Sequence, residues 1–343
     1  MRLLVLGGTE FVGRAVVEAA LERGWDVNVF HRGRHEPPPG VGVLHGDRGT
    51  EGGLKALSDP DLAPWDAVVD TWSGAPSVVR DSARLLAGRA GRYVYVSSGS
   101  VYAFPAAPGR GEDRPVVEGS PDDGGEVDYA RAKRGGELAA TDLFGDRALL
   151  VRAGLILGPW ENIGRLPWWL TRVARGGEVL APGPPGLELQ YIDVRDLAEW
   201  TLDAVESGLH GPYGLVSPPG HTTMRELLET LVRVTGSDAE LRWAGPDFLT
   251  RAGVEPWTEL PVWVPPGGDL YDTLHRSDVT KALGAGLSCR PFAETAAGTW
   301  EWLCSLGGVA PQRPDRPLPG LAPEREAELL RALAEETGPR GAD

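Results

Sequence analysis

The sequence predicts an α/β protein, a doubly wound parallel sheet with a smaller C-terminal cap. Three observations predict it. An apolar run breaks into a glycine turn and then a helix-period segment within the first thirty-odd residues. Apolar runs and helix-period segments then alternate as far as Pro159, and beyond it the rhythm fades into Trp-, Gly- and Pro-rich sequence. Strands that alternate with helices in this way build a parallel sheet covered on both faces. Ligands of such sheets lie outside the carboxyl ends of the strands, so the residues just after each apolar run matter most.

The elements follow in order. Leu3-Leu4-Val5-Leu6 reads as a strand, Gly7-Gly8-Thr9-Glu10-Phe11-Val12-Gly13 as a turn, Val16 to Leu21 as a helix, and Val27 to Phe30 as a second strand. This βαβ unit presents backbone N–H groups and a helix N-terminus to a dinucleotide pyrophosphate. Val41 to Asp47 is a short third strand, followed by a polar, helix-like stretch to Ala63. Trp65 to Asp70 is a strand stopped by Thr71-Trp72-Ser73-Gly74, with helical spacing from Val78 to Ala87. Arg92 to Ser98 is β-rich and ends in small hydroxyl residues. Phe104 to Asp128 reads as a long surface loop, a class of segment that is often functional. A helix opens at Tyr129 and places Tyr129 and Lys133 one turn apart on one face. Arg147 to Arg152 is a further strand, Leu189 to Val194 reads as a strand returning to the main sheet, and Arg195 to Glu206 is its helix. Helices are expected over Thr223 to Thr235, Ser277 to Leu283, Pro291 to Leu303 and Pro323 to Glu336. The dinucleotide-binding domain is therefore placed at 1–158 and 188–216, the cap at 159–187 and 217–337, and a disordered tail at 338–343.

Composition narrows the function. A net charge of −15 over 343 residues, with no basic block, opposes a nucleic-acid partner. No apolar run approaches a membrane span and no signal peptide precedes the strand at Arg2, so a cytoplasmic location with no membrane partner is expected. Cys289 and Cys304 read as reduced structural thiols. The six histidines show no helical pair at metal-ligand spacing, so no metal is expected. Trp160, Trp168 and Trp169 read as core, and Asp193, Arg195 and Asp196 as a solvated or ion-paired turn. The oligomeric state is not written in the sequence.

Three features occur in order: the N-terminal glycine turn, the strand end Ser97-Ser98-Gly99-Ser100-Val101-Tyr102, and Tyr129-x-x-x-Lys133. Together they resemble the extended short-chain dehydrogenase/reductase superfamily, in its NAD-dependent epimerase/dehydratase branch. Gly154 to Pro159, Tyr191 to Ala198 and Asp278 to Ala282 resemble the later signposts of that family. The resemblance implies a Rossmann domain and Ser-Tyr-Lys chemistry on a hydroxyl or carbonyl of a small molecule, such as a sugar nucleotide or secondary metabolite. Ser98 would hold and polarise the substrate oxygen, Tyr129 would exchange its proton, and Lys133 would stabilise the phenolate and bind the nicotinamide ribose. Ser100 and Tyr102 are further candidates for substrate contact. Reduction and epimerisation both remain open, whereas dehydration is disfavoured because Gly99 and Ser100 stand where that subgroup places an acidic pair.

The cofactor set comprises Gly7, Thr9, Phe11, Val12, Gly13, Arg32, Asp47, Thr71, Trp72, Lys133 and Ile156. Asp47 reads equally as a helix cap and as an adenine contact. NAD-selective folds carry an acid at the end of the second strand. Here the strand ends in Phe30-His31-Arg32-Gly33-Arg34, which favours NADP(H) with Arg32 on the 2′-phosphate. The alternative is NAD(H), with Arg32 stacked on adenine. One residue departs from the family pattern: Glu10 replaces the middle glycine of the turn, where its carboxylate either brings a like charge toward the phosphates and weakens binding or turns outward to bond Arg14 or an Arg after the second strand. It keeps a second reading open, a non-catalytic dinucleotide-binding regulatory protein. A third is an RNA-associated homologue resembling the chloroplast stem-loop-binding proteins, for which Glu10 has the wrong sign.

Overall fold

The computed structural model describes residues 1–105 and 109–337. The expected tail at 338–343 lies outside them. The chain divides into two compact units: Met1–Ile156, Tyr191–Ser217 and Ser277–Cys289 form the first, and Leu157–Gln190, Pro218–Arg276 and the chain from Arg290 onward form the second.

The first unit holds a seven-stranded sheet of β1 (Arg2–Leu6), β2 (Asp26–His31), β3 (Gly42–His45), β4 (Trp65–Asp70), β5 (Ala90–Ser98), β6 (Ala148–Ala153) and β7 (Gly211–Leu215). Its order is β7-β6-β5-β4-β1-β2-β3, and every neighbouring pair is parallel. Continuous apolar runs such as Leu3-Leu4-Val5-Leu6 are buried on both faces because helices cover both. Helices α1 (Phe11–Glu22) and α5 (Val194–Glu206) pack together, as do α2 (Pro76–Leu86) and α3 (Tyr129–Phe144). Leu4, Leu6, Val68, Tyr93 and Tyr95 form a core with Val79 and Leu86 of α2 and with Ala139 and Phe144 of α3. Since side chains alternate along a strand, Leu3 and Val5 face the opposite helix layer. The strand order reverses between β1 and β4, so the ends of those two strands border the crevice where this architecture takes ligands.

Three expectations are corrected. The polar stretch before Ala63 forms only a short 3-10 turn, Lys55–Ser58, because glycines interrupt it. A Cβ on Gly53 would stand 1.7 Å from the Asp47 carbonyl oxygen. Leu189 to Val194 does not rejoin the main sheet. Glu188–Leu189 pairs with Thr222–Thr223, and Ile192–Asp193 forms a separate two-residue strand. The edge position belongs to β7, whose Gly-Pro-Tyr-Gly-Leu sequence has little strand propensity and owes its form to parallel pairing with β6. Lastly, Ser277 to Leu283, assigned to the cap, falls in the first unit, where Lys281 Nζ donates to the Pro212 carbonyl.

The second unit pairs Glu178–Pro182 with Glu240–Ala244 in parallel and packs α4 (Arg165–Ala174) against α6 (Met224–Thr235). Trp169 is fully buried and donates to the Pro261 carbonyl at 2.7 Å, as expected of a core residue. Arg172 and Glu326 form a buried ion pair that ties α4 to the C-terminal helix Pro323–Thr337.

Candidate active site

The turn after β1 admits almost no side chain. Gly7 has φ +100°, and a Cβ there would lie 2.7 Å from Thr71 Oγ1, whose hydroxyl donates to the Leu6 carbonyl at 3.0 Å. A Cβ on Gly13 would lie 2.1 Å from the Gly7 carbonyl oxygen, so the first turn of α1 is pressed against the end of β1. Glu10, the N-cap of α1, makes no capping bond. Its carboxylate instead stands 3.7 Å from His35 Nε2, with both side chains about half exposed. The carboxylate thus turns toward the segment after β2, while the initial N–H groups of a helix are natural anion donors. Phe11 is buried; Thr9 and Val12 are half-buried on the same turn. This bare cradle fits a dinucleotide pyrophosphate.

At the end of β2, His31 is buried and its Nδ1 accepts the Gly33 N–H at 3.2 Å. Its ring meets that of His45 at 4.9 Å between centroids, and burial, then the neighbouring His45, lowers its pKa. Arg32 is exposed. Asp47 caps no helix: its carboxylate accepts the Gly49 N–H at 3.0 Å in a local turn.

Beyond β4 and β5 the site becomes dense. Ser98, the last residue of β5, accepts the Ser100 N–H at 3.1 Å and donates to Ser100 Oγ at 3.2 Å. Tyr129 opens α3 behind the N-cap Asp128, whose carboxylate accepts the N–H groups of Ala130 and Arg131, and its side chain remains 37% exposed. Lys133, one turn on, is buried. Its ammonium donates to the carbonyls of Trp72 and Val96, both at 2.7 Å, and lies 4.9 Å from the centre of the Tyr95 ring. Consecutive glycines bring α3 this close, since a Cβ on Gly136 would stand 2.4 Å from Tyr95. Lys133 is thus seated on β5 and on the segment after β4, Tyr129 lies one turn before it on α3, and Ser98 ends β5 two residues beyond Val96. Ile156 is half-buried beyond β6. Tyr102 is placed differently from a substrate contact. It is 5% exposed, with the guanidiniums of Arg114 and Arg152 at 3.7 and 4.9 Å from its ring. Ser100 stays exposed.

Two buried charge networks were not singled out from the sequence. Glu137 accepts two bonds from Arg152, at 2.8 and 2.9 Å, and one from Ser97 at 2.8 Å. Asp70 is fully buried and takes a two-pronged bond from Arg48, both arms 2.6 Å, and one from the Tyr93 hydroxyl at 2.5 Å. Burial alone would raise the Asp70 pKa, but the Arg48 guanidinium outweighs it and holds the carboxyl below its usual range. Burial and the charge of Asp70 push the Tyr93 phenol well above its usual value. An acid closing an otherwise apolar strand was the available signal, because a buried carboxylate demands a partner. Among the described residues no group of three or more His, Cys, Asp or Glu could hold a metal ion, and no helix is long and apolar enough to cross a membrane.

Residues 63–214 match the NAD dependent epimerase/dehydratase family. That span runs from β4 through β6, α3 and α5 to β7. No curated protein sequence matches the chain. Among solved structures it is similar to the Bordetella bronchiseptica enzyme WbmH in complex with NAD+, at 21% identity and TM-score 0.64, covering 90% of this chain and 99% of that one. It is also similar to the UDP-glucose 4-epimerase of Thermus thermophilus in complex with NAD, at 23% identity and TM-score 0.60, covering 89% and 99%. UDP-N-acetylglucosamine 4-epimerase from Bacillus cereus matches at 17% identity and TM-score 0.62, covering 87% and 97%. At these identities the likeness concerns the fold.

Proposed function

We propose that this chain, whose residues 63–214 fall in the NAD dependent epimerase/dehydratase family, is a dinucleotide-dependent oxidoreductase or epimerase acting on a hydroxyl or carbonyl of a sugar nucleotide or similar small molecule. The observation that carries this reading is the seat of Lys133. Its ammonium is fixed by the carbonyls of Val96 in β5 and of Trp72 in the segment after β4, and Lys133 lies one helical turn from Tyr129, which is 37% exposed. In this reading Tyr129 would take a proton from a substrate hydroxyl or return it to a carbonyl, with Lys133 as the neighbouring positive charge. Ser98 would donate to the same oxygen and orient it.

Gly7, Thr9, Phe11, Val12 and Gly13 would hold the pyrophosphate, with Thr71, Trp72, Ile156 and Lys133 toward the nicotinamide end and Asp47 toward the adenine. When bound, the dinucleotide supplies the hydride acceptor or donor. The absence of an acid after Phe30, together with exposed Arg32, supports NADP(H) for this chain, whereas two of the similar structures carry NAD; NAD(H) is the competing cofactor. The outward turn of Glu10 toward His35 supports dinucleotide binding, which the catalytic and the regulatory readings share, because it takes the carboxylate away from the cradle.

The test has two parts. The dinucleotide that copurifies is identified by mass, and the protein is then incubated with UDP-hexoses and followed by NMR for inversion at a sugar carbon. Copurified NAD in place of NADP overturns the Arg32 assignment. No inversion, and no label transfer from tritiated cofactor to a panel of carbonyl compounds, overturns the enzyme reading.

A further inference from the structure

We propose that Asp70 is a positioning residue for Lys133, acting through the Trp72 main chain. The inference rests on the reading of Lys133 as the group that binds the nicotinamide ribose. Lys133 Nζ is held by carbonyl oxygens, and one of these belongs to Trp72, in the irregular segment after β4. A carbonyl in a connecting segment makes a good seat only if something fixes the segment, since loops are the mobile parts of a fold.

Four interactions fix this one. Asp70 Oδ1 accepts the Trp72 N–H at 2.9 Å, closing a two-residue turn at the strand end. The Trp72 indole donates to the Ala75 carbonyl at 3.0 Å, the Arg48 guanidinium lies 5.3 Å from its ring centre, and the Tyr95 hydroxyl donates to the same Trp72 carbonyl at 3.1 Å. Asp70 is itself immobilised. Besides its bonds to Arg48 and Tyr93, its cation is anchored in turn by Ser82 Oγ at 2.9 Å from Arg48 Nε. Both ions are nearly free of solvent, at 5% and 0% side-chain exposure. A buried pair of this kind gives little net stability over an apolar replacement. What it does here is hold an oxygen at a defined place, from which the Trp72 N–H, and with it the residue that seats Lys133, takes its position.

The experiment compares dinucleotide affinity with affinity for ADP, which lacks the nicotinamide ribose. NADPH, NADH and ADP are titrated by calorimetry into the wild type and four variants. Lys133→Met tests the underlying reading: the dinucleotide-to-ADP affinity ratio should fall about tenfold or more, the worth of a bond to a charged group. If that ratio stands unchanged, the role of Lys133 is wrong, independently of Asp70. The inference itself is tested by two double variants with no buried charge left unpaired. Arg48→Met with Asp70→Leu removes the acceptor for the Trp72 N–H, and the ratio should fall about fivefold. Arg48→Met with Asp70→Asn keeps an amide oxygen there, and the ratio should return to within about twofold of the wild type. Equal ratios in the two double variants, with Lys133→Met still showing its loss, overturn the inference. Should either double variant fail to fold, Tyr93→Phe decides the matter. It deletes one bond to Asp70 without stranding a charge, and it should lower the ratio two- to threefold by roughly the worth of one neutral bond. No change in that variant overturns the inference as well.

Discussion

Replacing Gly13 by alanine sets two opposing effects against each other. Gly13 is the third residue of α1, and alanine in a helix is favoured over glycine by about 1 kcal/mol. The new Cβ would, however, stand 2.1 Å from the Gly7 carbonyl oxygen, where ordinary contact begins at 3.4 Å. That neighbour is backbone and cannot swing aside, so α1 must retreat from β1 by more than an ångström. Overpacking of this kind costs about 1–3 kcal/mol, enough to cancel the helix gain and leave a modest net loss. The larger consequence falls on the cofactor, because the same retreat moves the N–H groups that would meet the pyrophosphate. Losing one such charge-assisted bond, about 1.5–3 kcal/mol, weakens binding roughly ten- to hundredfold. Fluorescence titration of NADPH and NADH measures this, with Gly24→Ala as control. Gly24 has positive φ, +72°, but nothing lies within 4 Å of its Cβ position, so that variant should lose about 1 kcal/mol of stability and no affinity. A folded Gly13→Ala protein with wild-type dinucleotide affinity would refute the placement of the cofactor on this turn.

Other outcomes follow from the charges. Burial pushes the Glu161 carboxyl up to about 7, against the pull of Arg165 and of the Arg165 and Leu166 N–H groups. Because the folded protein then holds this proton more tightly than the unfolded chain, stability should fall by about 3 kcal/mol as pH rises from 4.5 to 7 and level off above. Urea melts across that range should show this slope in the wild type and lose it in Glu161→Gln; parallel profiles contradict it. Glu137→Gln takes the charge partner from Arg152, which is 5% exposed, and should cost about 3–5 kcal/mol, read as a thermal shift. Arg32→Glu should lower NADPH affinity about tenfold relative to NADH, and an unchanged ratio removes Arg32 from the 2′-phosphate site.

Where hydrophobic periodicity and glycine chemistry decide the structure, the sequence was readable. The first six strands, the helices α1, α2, α3 and α5 and the one-turn spacing of Tyr129 and Lys133 follow from short-range pattern, whereas Ser98 joins that pair only through the resemblance to a family. What escaped depends on long-range pairing. Gly211 to Leu215 carries no strand signal of its own, and only the edge of β6 makes it one. Ile192–Asp193 has a strong β pattern yet pairs outside the main sheet. Asp70 and Arg48 lie 22 positions apart, and Glu137 and Arg152 lie 15 apart, so neither pair could be matched before the fold brought them together. Glu10 was legible as an irregularity with an outward turn as one of two outcomes, but its neighbour His35, beyond the next strand, was not.

The most direct test of the whole account is tritium transfer from 4-labelled NADPH or NADH to a panel of carbonyl compounds, including 4-keto sugar nucleotides, by wild type and Tyr129→Phe. The account predicts transfer by the wild type and a loss of at least about a hundredfold in the variant, the usual worth of a positioned general acid. Tight dinucleotide binding without transfer, or equal transfer by the two proteins, would contradict it.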